Sequence, residues 1–556
     1  MSASPKILEP LPDWMDQERP TIPGSPSTPY HKPWVRIAYA AVGVQISMTG
    51  GLANAMISVN LPQIQGTLGL TPVEGAWLPA AYVMVNVSAN LILFKCRQQF
   101  GVRRFAEVAI SANLAMIVLY LLSDTFEMAL LVRAISGFAS APMSALGLYY
   151  ILQAFPKAAL GRGLCVGIGL TQLGTPLAYV ISPTLLEDGT WHSLYHFEFG
   201  MALCSLAGVF ALKLPPSIRL KVFEARDLFT VLLVVPGFAL IVAVLSQGRV
   251  QWWMEQPWMG WALISALALL LAGFYLEHYR ENPMIQTRWL GSAEVLRFVL
   301  GALTLRLLLS EQTYTVVGLL KALGMGPDQL VRLYAVICLG TVTGILVSAI
   351  TFGQKTIMLQ IIASVAMIIA GSLMDRTASS LTRPHDLLVS QFLIAVAAGM
   401  FMGPMMLIGV MKALGRGGDY ILTFSVLFAL TQGMGGMAGS ALFGTMQIHR
   451  QHEHSAMITA QANPTNPVVA QRIQIYGQAF QPTITDPVIR QARGAAMLAE
   501  EATREANVRA YNDLIAVNAL IAISFLTWSF ADIYLQMRKT RRQPAGAGAA
   551  AGAAAV

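Results

Sequence analysis

Four ionisable side chains stand inside runs that are otherwise apolar or small. Arg133 lies in LLVRAISGFASAPMSALGLYY, which runs from Leu130 to Tyr150, and Glu198 follows Tyr195, His196 and Phe197 at the start of another apolar stretch. Arg306 and Glu311 fall near the middle of EVLRFVLGALTLRLLLSEQTYTVVGLL. A charge in such a place is costly in protein core and in lipid alike, so each needs a partner or a task. Glu311 and Glu198 can exchange a proton, whereas arginine cannot. Glu311 is therefore a candidate proton-coupling group, and Arg306 a candidate partner for a carboxylate or an anionic substrate; a purely structural buried pair is the competing reading. The two residues are five apart, so they point to different faces and should meet other helices. Arg133 either snorkels to the membrane surface or turns inward. The small-residue stripe Ser136, Ser140, Ser144 and Gly147 favours the inward reading, because it lets another helix come close. Asn54, Asn86, Asn90 and Gln172, also within apolar runs, either line a polar cavity or hydrogen-bond helices together.

The elements that must carry these residues are transmembrane helices. Of 556 residues 55% are hydrophobic and 12% charged, against roughly 25% charged in a soluble domain. About fourteen runs are long and apolar enough to cross a bilayer: 34–57, 77–95, 105–123, 128–152, 163–185, 195–213, 228–247, 258–276, 293–320, 329–351, 356–374, 386–411, 420–447 and 513–536. Lys and Arg gather after every even-numbered run, for example Arg103 with Arg104, Lys213 with Arg219, and Lys412 with Arg416. Acids such as Glu74, Asp124, Glu187 and Asp188 occupy the alternate loops. By the positive-inside rule both termini are cytoplasmic, which agrees with an even count. A many-span bundle with buried charges points to a transporter or channel.

Residues 1–33 are polar and proline-rich without a signal-peptide pattern, and 537–556 end in an alanine-glycine tract; both are expected to be disordered cytoplasmic tails. The segment 448–512 is a long polar loop on the side opposite the basic loops, ending in a charged helix that leads into the last span. A partner-docking role competes there with a passive loop. His449, His452 and His454 are close in sequence, but without cysteines or a fixed helical register they read as a solvated cluster, not a metal site. Cys96, Cys165, Cys204 and Cys338 have neither metal nor disulfide-framework spacing. The net charge of +8 is spread over membrane loops, which argues against nucleic-acid binding. GxSxG, HExxH and P-loop signatures are absent, and GMGGMAG at 433–439 reads as close helix packing. The chain is read as no enzyme, needing no cofactor, with an ion gradient as its energy source.

Taken together, the residues resemble the fourteen-span drug:proton antiporters of the major facilitator superfamily, of the EmrB and QacA type, from about Val35 to Gln536. In the fourth span and the loop after it, Arg133, Gly137, Phe155, Pro156, Gly161 and Arg162 match the family motif. VNLPQI at 59–64, LSQG at 245–248 with Trp252 and Trp253, and the long loop before the last span also match. Gly101, Arg103 and Arg104 keep the basic end of the motif after the second span, and Gly174 and Pro176 lie in the fifth-span region. The chain departs from the family at Ala53, where an acid is expected, at Gln98-Gln99, and at Ala178-Tyr179.

The resemblance implies an all-α integral membrane protein of the major facilitator fold. Two six-helix halves, 34–213 and 293–536, would rock around a central site, with the pair 228–276 inserted between them. It implies proton-driven export of amphipathic or aromatic small molecules across a bacterial inner membrane. A periplasmic adaptor and an outer-membrane channel are the expected partners, beside the substrate and the lipid bilayer. Arg133 would serve coupling by biasing a nearby carboxylate, and with the first-span acid missing the proton would fall to Glu311 or Glu198. Proton-coupled uptake of an organic anion is the alternative.

Overall fold

The computed structural model describes residues 8, 13–15, 18–20, 24–121, 125–187, 190–353, 355–417, 420–463 and 466–542. Asp124, Asp188 and most of the two tails, including 543–556, lie outside them. The described residues form an all-helical bundle with thirteen helices long and apolar enough to cross a membrane. The ninth passage brings the number to fourteen. It is broken into Ala293–Leu308, a wide π-helical turn at Glu311–Thr315, and Val316–Ala322.

In the first half the spans are Pro33–Val59, Pro72–Leu93, Val102–Leu121, Phe126–Gln153, Lys157–Leu185 and His192–Ala211. The inserted pair is Ala225–Gln247 and Pro257–His278. After the broken ninth span come Pro327–Ile350, Ile357–Asp375, Leu388–Leu414, Tyr420–Gln461 and Pro487–Arg542. Each is called below by its order, first to fourteenth.

Close helix crossings fix the first half. A β-carbon at Gly137 would come within 2.3 Å of the Tyr82 carbonyl oxygen, so only glycine lets the fourth span meet the second there. Gly101, at the turn between the second and third spans, has φ +85°, a region that glycine adopts without steric cost. Within the serine stripe Ser140 and Gly147 face the first span, where the Ser140 hydroxyl donates to the Gly50 carbonyl at 3.2 Å. Ser136 turns instead to the third and sixth spans, and Ser144 is exposed. Elsewhere Gly174 meets Gly51, and Gly161 meets the Phe352 ring beyond the tenth span. Pro176 is buried, and Arg162 is exposed.

The halves touch where Tyr179 of the fifth span stacks on Tyr334 of the tenth, with ring centroids 3.9 Å apart. The inserted pair bridges both halves. Ser246 and Gln247 donate to the second-span carbonyls of Ala76 and Val73, at 2.9 and 3.1 Å. Beyond them, Arg249 donates to the Tyr314 hydroxyl at 2.8 Å, and Trp253 to Thr445 at 2.7 Å.

The described parts of the two tails and the long polar segment are more ordered than their composition predicts. Residues 24–27 run antiparallel to 216–218, with Gly24 N–H donating to Ile218 O and Ser27 N–H to Pro216 O, both at 3.0 Å. The Gln153 side chain donates to Ser27 O at 2.9 Å. Disorder therefore does not extend to these residues, because backbone pairing and a helix-end glutamine hold them. At the other terminus the last helix runs through residue 542.

The segment expected as a loop at 448–512 is mostly helix. The thirteenth helix continues to Gln461, Pro467–Gln478 folds back, and the fourteenth begins at Pro487. At 1.5 Å per residue, 487–512 carries the fourteenth helix about 39 Å beyond its apolar part. Arg450 and His454 both bond Asp513, each at 2.8 Å. His449 faces Glu453 at 3.2 Å and His452 is exposed, so the three histidines do not converge.

A charge cluster locks the inserted pair to the first half on the basic side. Lys95 of the second span pairs with Asp227 at 2.6 Å, and Arg280 reaches Asp227, Glu224 and Glu277 at 2.6, 2.7 and 3.1 Å. Asp227 and Glu277 are almost fully buried. Removing the cation by Arg280→Met is expected to destabilise the protein by about 3–5 kcal/mol, because it strands buried carboxylates. Thermal unfolding in detergent measures this, and an unchanged transition would show that the cluster is not a structural joint. At Glu224 the Arg280 hydrogen bond holds the carboxyl below its usual range. Its stabilisation is therefore in place above pH about 4.3 and is lost as pH falls through the lower folded value. An unfolding series from pH 6 to pH 3 should show Arg280→Met losing less stability on acidification than the wild type.

Candidate functional site

In the first half Arg133 turns inward and is fully buried. Its Nη1 donates to the Ala53 carbonyl and its Nη2 to Asn54 Oδ1, both at 2.8 Å, while the guanidinium lies 4.8 Å from the Tyr82 ring centroid. Neutral oxygens thus occupy the place where the motif leads one to expect an acid. A carboxylate, Glu198 of the sixth span, is held through Ser136 one turn further along the fourth span. Ser136, on the Arg133 face, donates to Glu198 Oε1 at 2.9 Å and to Asn113 Oδ1 at 2.7 Å, and Asn113 also reaches Glu198 at 3.3 Å. Glu198, near the start of its span, is buried. The unit draws on the first, third, fourth and sixth spans.

A second unit occupies the other half. Glu311 is fully buried on the wide turn of the ninth span, and the side chains of Ser372 and Asn518 both donate to its Oε2. Its Oε1 and the Asn518 Oδ1 have no hydrogen-bond partner among the described residues. The next residue, Gln312, bonds Gln391 of the twelfth span at 3.2 and 3.3 Å, and Gln391 donates to Asp375 Oδ2 at 2.7 Å. Asp375 follows Ser372 by three residues on the eleventh span, and it too is buried. Two carboxyl groups thus share one polar network to which, among the described residues, no ion pair brings a cation.

Arg306 does not meet Glu311. It faces the thirteenth span, where its Nε donates to the Gln432 carbonyl at 3.3 Å. GMGGMAG supplies the room, since a β-carbon at Gly435 or Gly436 would come within 3.1 Å of the arginine side chain. Arg306 is only half-buried, with this one hydrogen bond to the protein.

The cavity candidates behave differently from one another. Asn54 is engaged by Arg133, Asn86 donates to Gly137 O at 3.1 Å, and Asn90 donates to Asn86 O at 2.9 Å. These three stitch helices together or cap their own helix. Gln172 sits on the tight turn Leu170–Leu173 of the fifth span and bonds only its neighbour Thr171, at 3.3 Å. Sequence reading missed Asn113, Ser372, Asp375, Gln391 and Asn518. An available signal was their position, since each polar side chain lies in or at the end of an apolar run.

Substituting Arg133→Met and Glu198→Gln one at a time should each destabilise the first half, whereas the double variant should recover at least about 1 kcal/mol relative to the sum. Unfolding measurements on the four proteins close that cycle. Additive losses would mean that the two charges do not act together.

Comparison with known proteins matches residues 46–465 to the profile of the Major Facilitator Superfamily. The multidrug export protein EmrB of Haemophilus influenzae is 21% identical over 485 residues, which are 84% of this chain and 90% of that protein. An uncharacterized transporter of Escherichia coli, YebQ, is 24% identical over 206 residues, but the match spans only 37% of this chain and 44% of YebQ. Among solved structures, the proton:xylose symporter XylE superposes with TM-score 0.52 at 14% identity, covering 89% of this chain and 97% of XylE. The human organic anion transporter MFSD10 gives TM-score 0.51 at 12% identity, covering 89% of this chain and all of that one.

Proposed function

We propose, from the premise that this chain belongs to the Major Facilitator Superfamily, that it is a proton-driven exporter of amphipathic or aromatic small molecules. The observation that carries the reading is Glu311. It is a fully buried carboxyl held by two neutral donors, with Asp375 in the same network. Two buried acceptors there, Glu311 Oε1 and Asn518 Oδ1, have no partner among the described residues. A proton on Glu311 turns one acceptor into a donor, so the network has a use for the proton that it would move.

In this reading Glu311 binds the transported proton and Asp375 stands between it and the face opposite the basic loops. Arg133 and Glu198 hold the first half as a charge-balanced, rigid partner. The termini lie in the cytoplasm of a bacterium, and the membrane is its inner one. The similarity to EmrB over most of both chains supports export of drug-like compounds. The helical extension beyond the thirteenth and fourteenth spans would meet a periplasmic adaptor, itself joined to an outer-membrane channel. One proton entering down 100 mV and one pH unit releases about 3.7 kcal/mol, enough for a substrate gradient of several hundredfold.

One observation favours the alternative of anion uptake. Arg306 is partly buried, and its one hydrogen bond among the described residues is to a carbonyl, which leaves donors for a carboxylate substrate.

In efflux-deficient cells the wild type should lower accumulation of lipophilic dyes, and a protonophore should abolish that effect. Glu311→Gln is expected to cut gradient-driven transport at least tenfold, with expression and unfolding temperature retained, and Asp375→Asn to act in the same direction. Accumulation above the control level would reverse the direction of transport. Full activity of Glu311→Gln would remove Glu311 from coupling.

A further inference from the structure

At the basic end of the first half, a cavity of about 380 Å³ opens between the second–third turn, the end of the sixth span and the strap of residues 24–27. Four cations line it: Arg103, Arg104, Lys213 and Arg219. The lining holds one acid, Glu107, and Arg103 already pairs with it at 2.7 Å. No ion pair among the described residues engages Arg104 or Lys213. Positive charge from Arg104 and Lys213 therefore gathers at one opening.

The walls are fixed by bonds that do not use these side chains. Hydroxyls of Tyr39 and Tyr150 donate to the carbonyls of Lys213 and Leu212 at 2.8 and 2.5 Å. Leu220 N–H donates to Gln98 O at 3.0 Å, and Gly24 and Ser27 pair with the 216–218 backbone. Arg104 and Lys213, held near one another by a rigid backbone and outside any ion pair among the described residues, suit an anion. At the mouth, Phe100 and Phe210 close the second and sixth helices with about half of their surface exposed. Both lie at span ends, so their rings face the boundary between hydrocarbon and head groups.

We propose that this cavity binds a phosphate group, that of an anionic phospholipid in the leaflet on the basic side, with the acyl chains lying along Phe100 and Phe210. The site joins the second–third turn to the end of the sixth span and to the N-terminal strap. An occupied site adds a counter-charge among groups that otherwise repel one another, and so tightens this end of the half. Free inorganic phosphate offers the same head-group chemistry without the apolar contact.

The test uses the purified full-length protein in detergent. Retained phosphatidylglycerol and phosphatidylethanolamine are counted by native mass spectrometry across a titration of each lipid, for the wild type and for an Arg104→Gln, Lys213→Gln double variant. The wild type is expected to prefer phosphatidylglycerol, and the double variant to bind it about 30-fold more weakly, as removal of two surface cations implies. A charge-conserving Arg104→Lys, Lys213→Arg variant should keep the preference. Both residues are solvent-facing, and matched unfolding temperatures establish that the variants fold. Millimolar inorganic phosphate should leave the lipid in place; displacement would assign the site to a soluble phosphate and overturn the lipid source. Equal retention of phosphatidylglycerol by wild type and double variant, or no preference over phosphatidylethanolamine, would overturn the proposal.

Discussion

Inside a bilayer no water is at hand to hold a charge, so each buried ionisable group has to be answered by the protein itself, and the bundle is arranged around two such answers. In the first half an arginine and a carboxylate share one cluster, with no direct ion pair between them among the described residues. Arg133 lies one turn from Ser136, which holds Glu198 of the sixth span. Ala53 and Asn54 accept from the arginine, Asn113 donates to Glu198, and Arg133 Nε has no partner among the described residues. In the second half the answer is neutral. Glu311 is met by a hydroxyl and an amide, and Asp375 by an amide. Both units sit among spans of a single half and neither uses the seam between halves, so each half can hold its polar interior while the two move as bodies.

The seam itself is made of different material. Tyr179 on Tyr334, Gly161 against Phe352 and Gly403 against Cys165 are aromatic or small-residue contacts. They can part without stranding a charge in hydrocarbon. The inserted pair is held more firmly, and it is held to both sides. On the basic face it is tied to the second span by Lys95, Asp227 and Arg280, and on the other face it reaches the ninth and thirteenth spans through Arg249 and Trp253. It thus bridges the two halves along one side of the bundle.

Much of this was legible in the sequence because a membrane makes the code simple. Length and hydropathy give the spans. The serine stripe and Gly137 mark the face that packs, and the five-residue offset separates Arg306 from Glu311 onto different neighbours. What stayed hidden was pairing across the chain. Nothing local to Asn518 says that it reaches Glu311, 207 residues away, and Asp375 looks like the polar end of a span until Gln391 is placed beside it. The charged helix before the last span was legible, but the first part of the long polar segment was read as loop for a related reason. Its charges form bonds between two antiparallel helix extensions, such as Arg450 and His454 to Asp513, and composition alone does not distinguish those from solvated charges.

The break in the ninth span gives Glu311 its particular setting. A regular helix would rotate successive side chains by about 100° with evenly spaced bonds, whereas the wide turn at Glu311–Thr315 adds a residue and loosens the ladder at the point where the carboxyl sits. Glu311 then reaches the eleventh and fourteenth spans while Gln312 reaches the twelfth, so one turn touches three neighbours. A change of proton at Glu311 alters how Ser372 and Asn518 are satisfied, and through Gln312 and Gln391 it also bears on the carboxyl of Asp375. The local cost of the irregular backbone is offset by a site whose hydrogen-bond count changes with a single proton, at the junction of four helices of one half.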